Sequence, residues 1–167
     1  VYKEVFSIYN ENIPSDDYRM ASLNNNIALL YQEMNDFPMA VQHLKKALSI
    51  IEKIEGTDIE VATTYTNLAA SLIEINQVSQ AEDYLKKALE IFDRDEDKNF
   101  HYSGALCAMA SVKCSLKQYE EAAKLYEKAL PEIEANMGRG SAYNITKENL
   151  AKVFDKIKEE KKELTGI

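Results

Sequence analysis

Apolar residues return along this chain at steps of three and four, and the blocks they form repeat. The spacing in "IALLY" (27–31) and in "IEVATTYTNLAASL" (59–72) predicts amphipathic helices. Aligned on itself, the chain shows a period of 41 residues. Ala40, Ala81 and Ala122 keep that step, as do Ala47, Ala88 and Ala129, and Ala28, Ala69 and Ala110, whose next step is Ala151. Larger residues hold the same register: Ile27, Leu68, Met109 and Leu150; Phe37, Val78 and Tyr119; Leu44, Leu85 and Tyr126; Leu48, Leu89 and Leu130. Chance gives one such column, not seven.

Each copy divides into two helical patterns. In the second, "TDIEVATTYTNLAASLIEIN" runs into "QVSQAEDYLKKALEIFDR". Thr57 with Glu60, directly after Gly56, has the spacing of a capping box and predicts a helix start. The break between helices recurs as "MNDFPMA", "INQVSQA" and "LKQYEEA", with Pro38 suited to a first turn because its missing N–H costs little there. The recurring alanines suit helix crossings, where a small side chain admits a bulky one from the opposing helix. "MGRGS" (137–141) reads as a helix stop followed by Ser141 as an N-cap. At the start, "YKEVFSIYNE" (2–11) matches "LKKALSIIEK" (44–53), so it predicts an orphan second helix. At the other end, "SAYNITKENLAKVFDKIKEEKKEL" supplies a first helix with a mixed-charge, solvated stretch of the capping type.

The pattern resembles the tetratricopeptide repeat (TPR) family over nearly the whole chain, on Ala28, Tyr31, Phe37, Ala40, Leu44 and Ala47 and their equivalents 41 residues on. The long step resembles the repeats of kinesin light chain and related bacterial proteins. Lys113 in place of Tyr31, and the lack of Gly in every turn within a repeat, depart from the family pattern. The resemblance implies an all-α fold, a right-handed α-solenoid of antiparallel helix pairs. The expected parts are an orphan helix at 1–12, repeats at 15–55, 56–96 and 97–137, and a capping helix at 141–164, eight helices in all. Val1 in place of an initiator Met suggests a piece of a longer protein.

Composition narrows the function. A net charge of −8 and a pI near 4.9 argue against nucleic-acid or anionic-membrane binding, which need a basic face. No apolar run reaches the roughly 18 residues of a membrane span. Cys107 and Cys114 stand seven apart on one expected helix. That is a rise of about 10 Å, beyond the roughly 7 Å that a disulfide tolerates between Cα atoms. Two reduced thiols fit a cytoplasmic location. Lys113 and Lys117 beside Cys114 give a weak reason to suspect a reactive thiol. His43 and His101 lack metal-ligand spacing, and His43, next to Leu44, reads as exposed. Catalytic motifs are absent, so an enzyme, a cofactor and a metal site are not expected.

One chemical column remains. Stepping Asn26 by 41 gives Asn67, Ala108 and Asn149, so three of four first helices carry Asn at one position. Asn has no virtue for the helix itself. The resemblance implies that first helices line the concave side and that this position faces the groove. There an amide offers a donor and an acceptor to the main chain of an extended peptide. Spacing between neighbouring helices is the competing role. Asn24 and Asn25 do not recur and read as solvent-facing or near a cap. Glu33 and Glu74 follow two turns later, with Ser115 and Lys156 next in that column. They would favour a basic peptide. Thr63 and Thr66 join the expected peptide-binding set of Asn26, Asn67, Asn149, Glu33, Glu74 and Ala108. A carboxylate clamp of the chaperone-tail kind is disfavoured, since Ser22, Gly104 and Ala108 stand where basic residues are needed. Gly104, Cys107 and Ala108 leave room for a bulky side chain. The expectation is a non-enzymatic protein- or peptide-binding scaffold. The alternatives are a sensing module like the peptide-pheromone receptors of bacteria, or self-association through Tyr2, Phe6 and Tyr9.

Overall fold

The structure, a computed structural model, describes residues 12–94 and 100–165, with side chains through 163. Within those limits the secondary structure is all helical. Seven helices follow one another: α1 (Tyr18–Glu33), α2 (Phe37–Ile51), α3 (Asp58–Glu74), α4 (Val78–Arg94), α5 (Phe100–Ser115), α6 (Tyr119–Met137) and α7 (Ser141–Thr165). The expected orphan helix at 2–11, with Tyr2, Phe6 and Tyr9, lies outside the described residues.

The second helices begin at Phe37, Val78 and Tyr119, 41 residues apart. A recurring turn sets that step. Asn35, Asn76 and Lys117 take φ of 59°, 60° and 57°. In each turn the next N–H reaches back five residues: Asp36 N to Tyr31 O, Gln77 N to Leu72 O and Gln118 N to Lys113 O, each at 2.8 Å. This is the left-handed helix ending that glycine normally serves. Asn tolerates it with local strain, which explains how two of the turns dispense with Gly. Lys117 has no such excuse and carries the penalty of a Cβ there.

Two capping expectations change. Thr57 does precede α3, but its hydroxyl makes no cap there. It donates to Ile51 O at 2.8 Å or Ile54 O at 2.7 Å, so it closes the end of α2 instead. Ser141 is already inside α7, and Asn144 N donates to Gly140 O at 3.2 Å. Gly138 ends α6 at φ 71°, and Pro38 lies in the first turn of α2 behind Asp36, both as expected.

Two compact units divide the chain, 1–91 and 92–167. In the first, α1, α2, α3 and most of α4 close over Ala28, Ala40, Ala47, Ala69, Ala81 and Ala88, all 0% exposed. Leu44, Leu68, Leu72 and Leu85 fill the spaces those alanines leave. In the second, the end of α4 packs through Phe92 edge-on to Tyr102 of α5 at 6.2 Å. Around α6, Ala110, Ala122, Ala123, Tyr126, Leu150, Val153 and Ile157 form one core. Ala151 breaks its column: it is exposed.

Candidate functional site

Successive residues of a helix turn by about 100°, so Asn24, Asn25 and Asn26 face three directions. Each has a different fate. Asn24 falls four residues after Met20 and four before Ala28, on the buried stripe, and is 3% exposed. Its Nδ2 donates to Met20 O at 2.7 Å, which turns Oδ1 toward His43 Nδ1 at 2.8 Å. An acceptor there requires the proton of neutral His43 on Nδ1. His43 is itself buried, with its ring stacked on Tyr31 at 5.5 Å. Burial, and then the Lys46 charge, hold its pKa below the usual histidine range. The expectations of a solvent-facing Asn24 and an exposed His43 are therefore both overturned, because the pair neutralises its own polarity inside the core.

Asn25 turns toward α3. Its Nδ2 donates to Thr64 Oγ1 at 3.1 Å, while that hydroxyl donates to Glu60 O at 2.8 Å. Two turns further on, Gln32 Nε2 lies 3.0 Å from Asn67 O and 2.7 Å from Ser71 Oγ. Asn25 thus belongs to a polar seam that holds α1 against α3, and its reading as solvent-facing or cap-bound is also corrected. The second unit places Cys107 in the Asn25 column and Cys114 in the Gln32 column. Cys107 Sγ lies 3.6 Å from Thr146 Oγ1 on α7, the same offset of 39 residues as Asn25 to Thr64. Burial pushes both thiols up, partly offset at Cys107 by the Thr146 contact. Lys113 is engaged by Glu121 and Gln118, each at 2.9 Å. The suspicion of a reactive Cys114 loses its physical basis.

Asn26 is exposed on α1, and Asn67 is half-buried on α3. Among the described residues neither carboxamide has a hydrogen-bond partner, and nor does that of half-buried Asn149 on α7. The backbone of Asn67 is fixed all the same, since Gln32 grips its carbonyl. Glu33 and Glu74 are exposed at the ends of the same two helices, and no ion pair holds either carboxylate among the described residues. Thr63 and Thr66 are half-buried and donate to Ile59 O at 2.8 Å and Ala62 O at 2.9 Å, so only their oxygen lone pairs remain available. In the second unit Ala108 is half-buried on α5, and a Cβ added at Gly104 would meet nothing within 4 Å.

A repeated cluster escaped the sequence reading. Tyr65 donates to Glu52 Oε1 at 2.5 Å, with Lys87 Nζ 5.7 Å from the Tyr65 ring and 5.6 Å from Tyr84. Tyr102 donates to Asp93 Oδ1 at 2.9 Å, with Lys128 Nζ 5.2 Å from its ring and 3.5 Å from Asp93. Glu52 with Asp93, and Lys87 with Lys128, are each 41 apart, and that was the available signal. The tyrosines sit one helical turn out of register, which hid the cluster. Burial and then Glu52 raise the Tyr65 pKa far above the ordinary phenol.

No group of three or more potential metal ligands occurs among the described residues. Nor is any of their helices long and apolar enough to cross a membrane.

Comparison with known proteins agrees with this geometry. Residues 19–94 match the tetratricopeptide repeat family. No curated protein matches the sequence. The fold is similar to that of apo RapI, with a TM-score of 0.83 and 19% identity over 95% of this chain and 56% of that one. It is similar to the TPR-like repeats of a kinesin light chain homologue from Podosopora anserina, with a TM-score of 0.75 and 17% identity over 96% and 78%. It is also similar to NprR, solved in complex with its cognate peptide NprX, with a TM-score of 0.71 and 20% identity over 87% and 42%. The chain therefore spans little more than half of RapI and less than half of NprR. Paired helices at a 41-residue step and alanine-lined crossings give this chain the fold of tetratricopeptide-like repeat arrays, and its residues 19–94 match that repeat family.

Proposed function

We propose that the chain is a non-enzymatic scaffold that holds an extended peptide or protein segment against the first helices of its repeats. One observation carries this reading: of the asparagines on α1 and α3, those in the repeated column, Asn26 and Asn67, keep carboxamides without partners, while Asn24 and Asn25 are engaged. A carboxamide can donate to a peptide carbonyl and accept from a peptide N–H, so it reads main chain and tolerates varied side chains. Glu33 and Glu74, on the same helices, favour a segment carrying Lys or Arg. In the second unit, Asn149 would add a further amide, and the open space at Gly104 beside Ala108 would admit a large side chain. The likeness to NprR, solved with a peptide, supports the ligand class. It also favours a second reading, a ligand-sensing module within a longer regulatory protein. Binding would then alter the activity of an attached domain.

Selection from a displayed random peptide library tests the proposal. The wild-type chain should enrich peptides with basic residues. Asn26→Ala/Asn67→Ala should weaken the selected peptides by about 30- to 150-fold, the loss of two hydrogen bonds of about 1 to 1.5 kcal/mol each. Its thermal melt should stay unchanged, since neither amide supports the fold. Equal affinity for wild type and double variant would remove the reading.

A further inference from the structure

Glu33 and Glu74 stand where a helix least favours a carboxylate. They are the last residues of α1 and α3, and no basic side chain shares either last turn. The partial negative charge of a helix C-terminus opposes an acid there. The chain makes this placement twice at a step of 41, as it places the poor helix former Asn at 26 and 67. A local rule broken twice in register, with no compensating ion pair among the described residues, marks positions kept for something other than the helix.

Within the first unit α1 and α3 lie side by side. Asn25 bonds Thr64 and Gln32 bonds Ser71, at 3.1 and 2.7 Å, both across an offset of 39 residues. A constant offset means that the two helices run parallel, so Asn26 with Asn67, and Glu33 with Glu74, form two rows that cross from one helix to the other. Helices in direct contact have axes about 8 to 10 Å apart. Between the rows lie Leu29, 42% exposed, and its equivalent Ala70, also exposed. The strip from amide to carboxylate is therefore apolar and two helical turns long, about 10 Å. A Lys or Arg stem lies along such a surface and keeps its charged head in water. Helical side chains lean toward the N-terminus, which brings both carboxylates back toward the amides.

We infer that the first unit holds a segment in the polyproline II conformation with two cationic side chains, Lys or Arg, three residues apart. The inference rests on the groove reading above and adds the conformation and spacing of the ligand. Polyproline II has three residues per turn, so residues i and i+3 point the same way at about 9.3 Å. That distance is one step from α1 to α3. A β-strand does not fit: residues i and i+2 share a face but stand only about 6.6 Å apart, and residues i and i+3 point to opposite faces. Polyproline II also makes no internal hydrogen bonds, so its N–H and C=O groups stay free for the carboxamides of Asn26 and Asn67. Two cations complete the match, since the column of Glu33 and Glu74 continues in the second unit as Ser115 and Lys156.

Fluorescence anisotropy on the full chain at low ionic strength tests the inference. The probes are short labelled peptides of Gln, Ser and Pro that carry two lysines two, three or four positions apart. The probe spaced by three should bind at least about threefold more tightly than the other two, which seat one lysine at a time. Glu33→Lys/Glu74→Lys should lose that preference and bind instead the probe with Glu in place of both lysines. Its thermal melt should not fall below that of wild type, because the change removes two charges that oppose the helix dipole. Asn26→Ala/Asn67→Ala should weaken all three probes alike. Equal affinity at the three spacings, no binding of any probe, or a charge-reversed chain that still prefers lysines three apart overturns the inference. The groove reading fails separately, when peptides selected from the library bind the Asn26→Ala/Asn67→Ala chain as tightly as wild type.

Discussion

The Asn24–His43 pair can be interrogated directly. Asn24→Ala removes the acceptor for His43 Nδ1–H in a region where the two residues are 3% and 9% exposed. Water cannot replace the lost partner, so the orphaned donor costs about 1 to 3 kcal/mol. Ala returns up to about 0.7 kcal/mol through its better helix propensity. The expected net loss is therefore about 1 to 2 kcal/mol. His43→Ala should cost more, about 2 to 4 kcal/mol, because it also forfeits the ring stacked on Tyr31. The double variant should recover about 1 to 2 kcal/mol of the summed losses, since removing both partners leaves no orphan. Urea titrations followed by far-ultraviolet circular dichroism give these values; the chain has no Trp to report by fluorescence. The slope with denaturant should stay constant while the midpoint moves. The same pair sets a pH dependence. The folded pKa of His43 lies below 6.5, so between the two values the unfolded chain binds more protons and stability rises with pH. His43 thus contributes stability fully above pH ~6.5, lost as pH falls through its depressed folded pKa, at no more than about 1.4 kcal/mol per pH unit. His101 is depressed in the same direction by burial and shares the window, so His43→Ala should flatten the profile without abolishing it. A coupling below about 0.3 kcal/mol, or an unchanged pH profile in His43→Ala, would refute the buried lock.

Three further outcomes follow from particular contacts. Lys117→Gly should stabilise by about 0.5 to 1 kcal/mol, read as a higher melting temperature, because it relieves a Cβ at φ 57°; Asn35→Gly and Asn76→Gly should gain less. Gln32→Leu should cost about 1 to 3 kcal/mol in the same urea assay, by leaving the oxygen of the fully buried Ser71 hydroxyl without its donor across the α1–α3 seam. Cys107 and Cys114 should react with a disulfide reagent near neutral pH more slowly than a free small thiol, since burial raises both pKa values; rates equal to the free thiol would show that the seam opens.

What the sequence determined by itself is the part that periodicity encodes. A 41-residue step in alanines and large apolar residues specified helix pairs, the starts of α2, α4 and α6, and the nine crossing alanines that are fully buried. Those features depend on geometry within one helix and its nearest neighbour, which local spacing captures. The expected site was legible only as a column, Asn26 with Asn67 and Asn149. The fate of three consecutive asparagines was not legible at all. A turn of 100° separates each from the next, and the partner that meets each one lies 19 or 39 residues away, at His43 or Thr64. Thr57 shows the same limit: its spacing fitted a cap for α3, but its hydroxyl turns back to the Ile51 and Ile54 carbonyls at the nearby end of α2. Ala151 kept its register and lost its burial, because an alanine column records where a helix can be crossed and only the assembled structure decides whether another helix crosses it there.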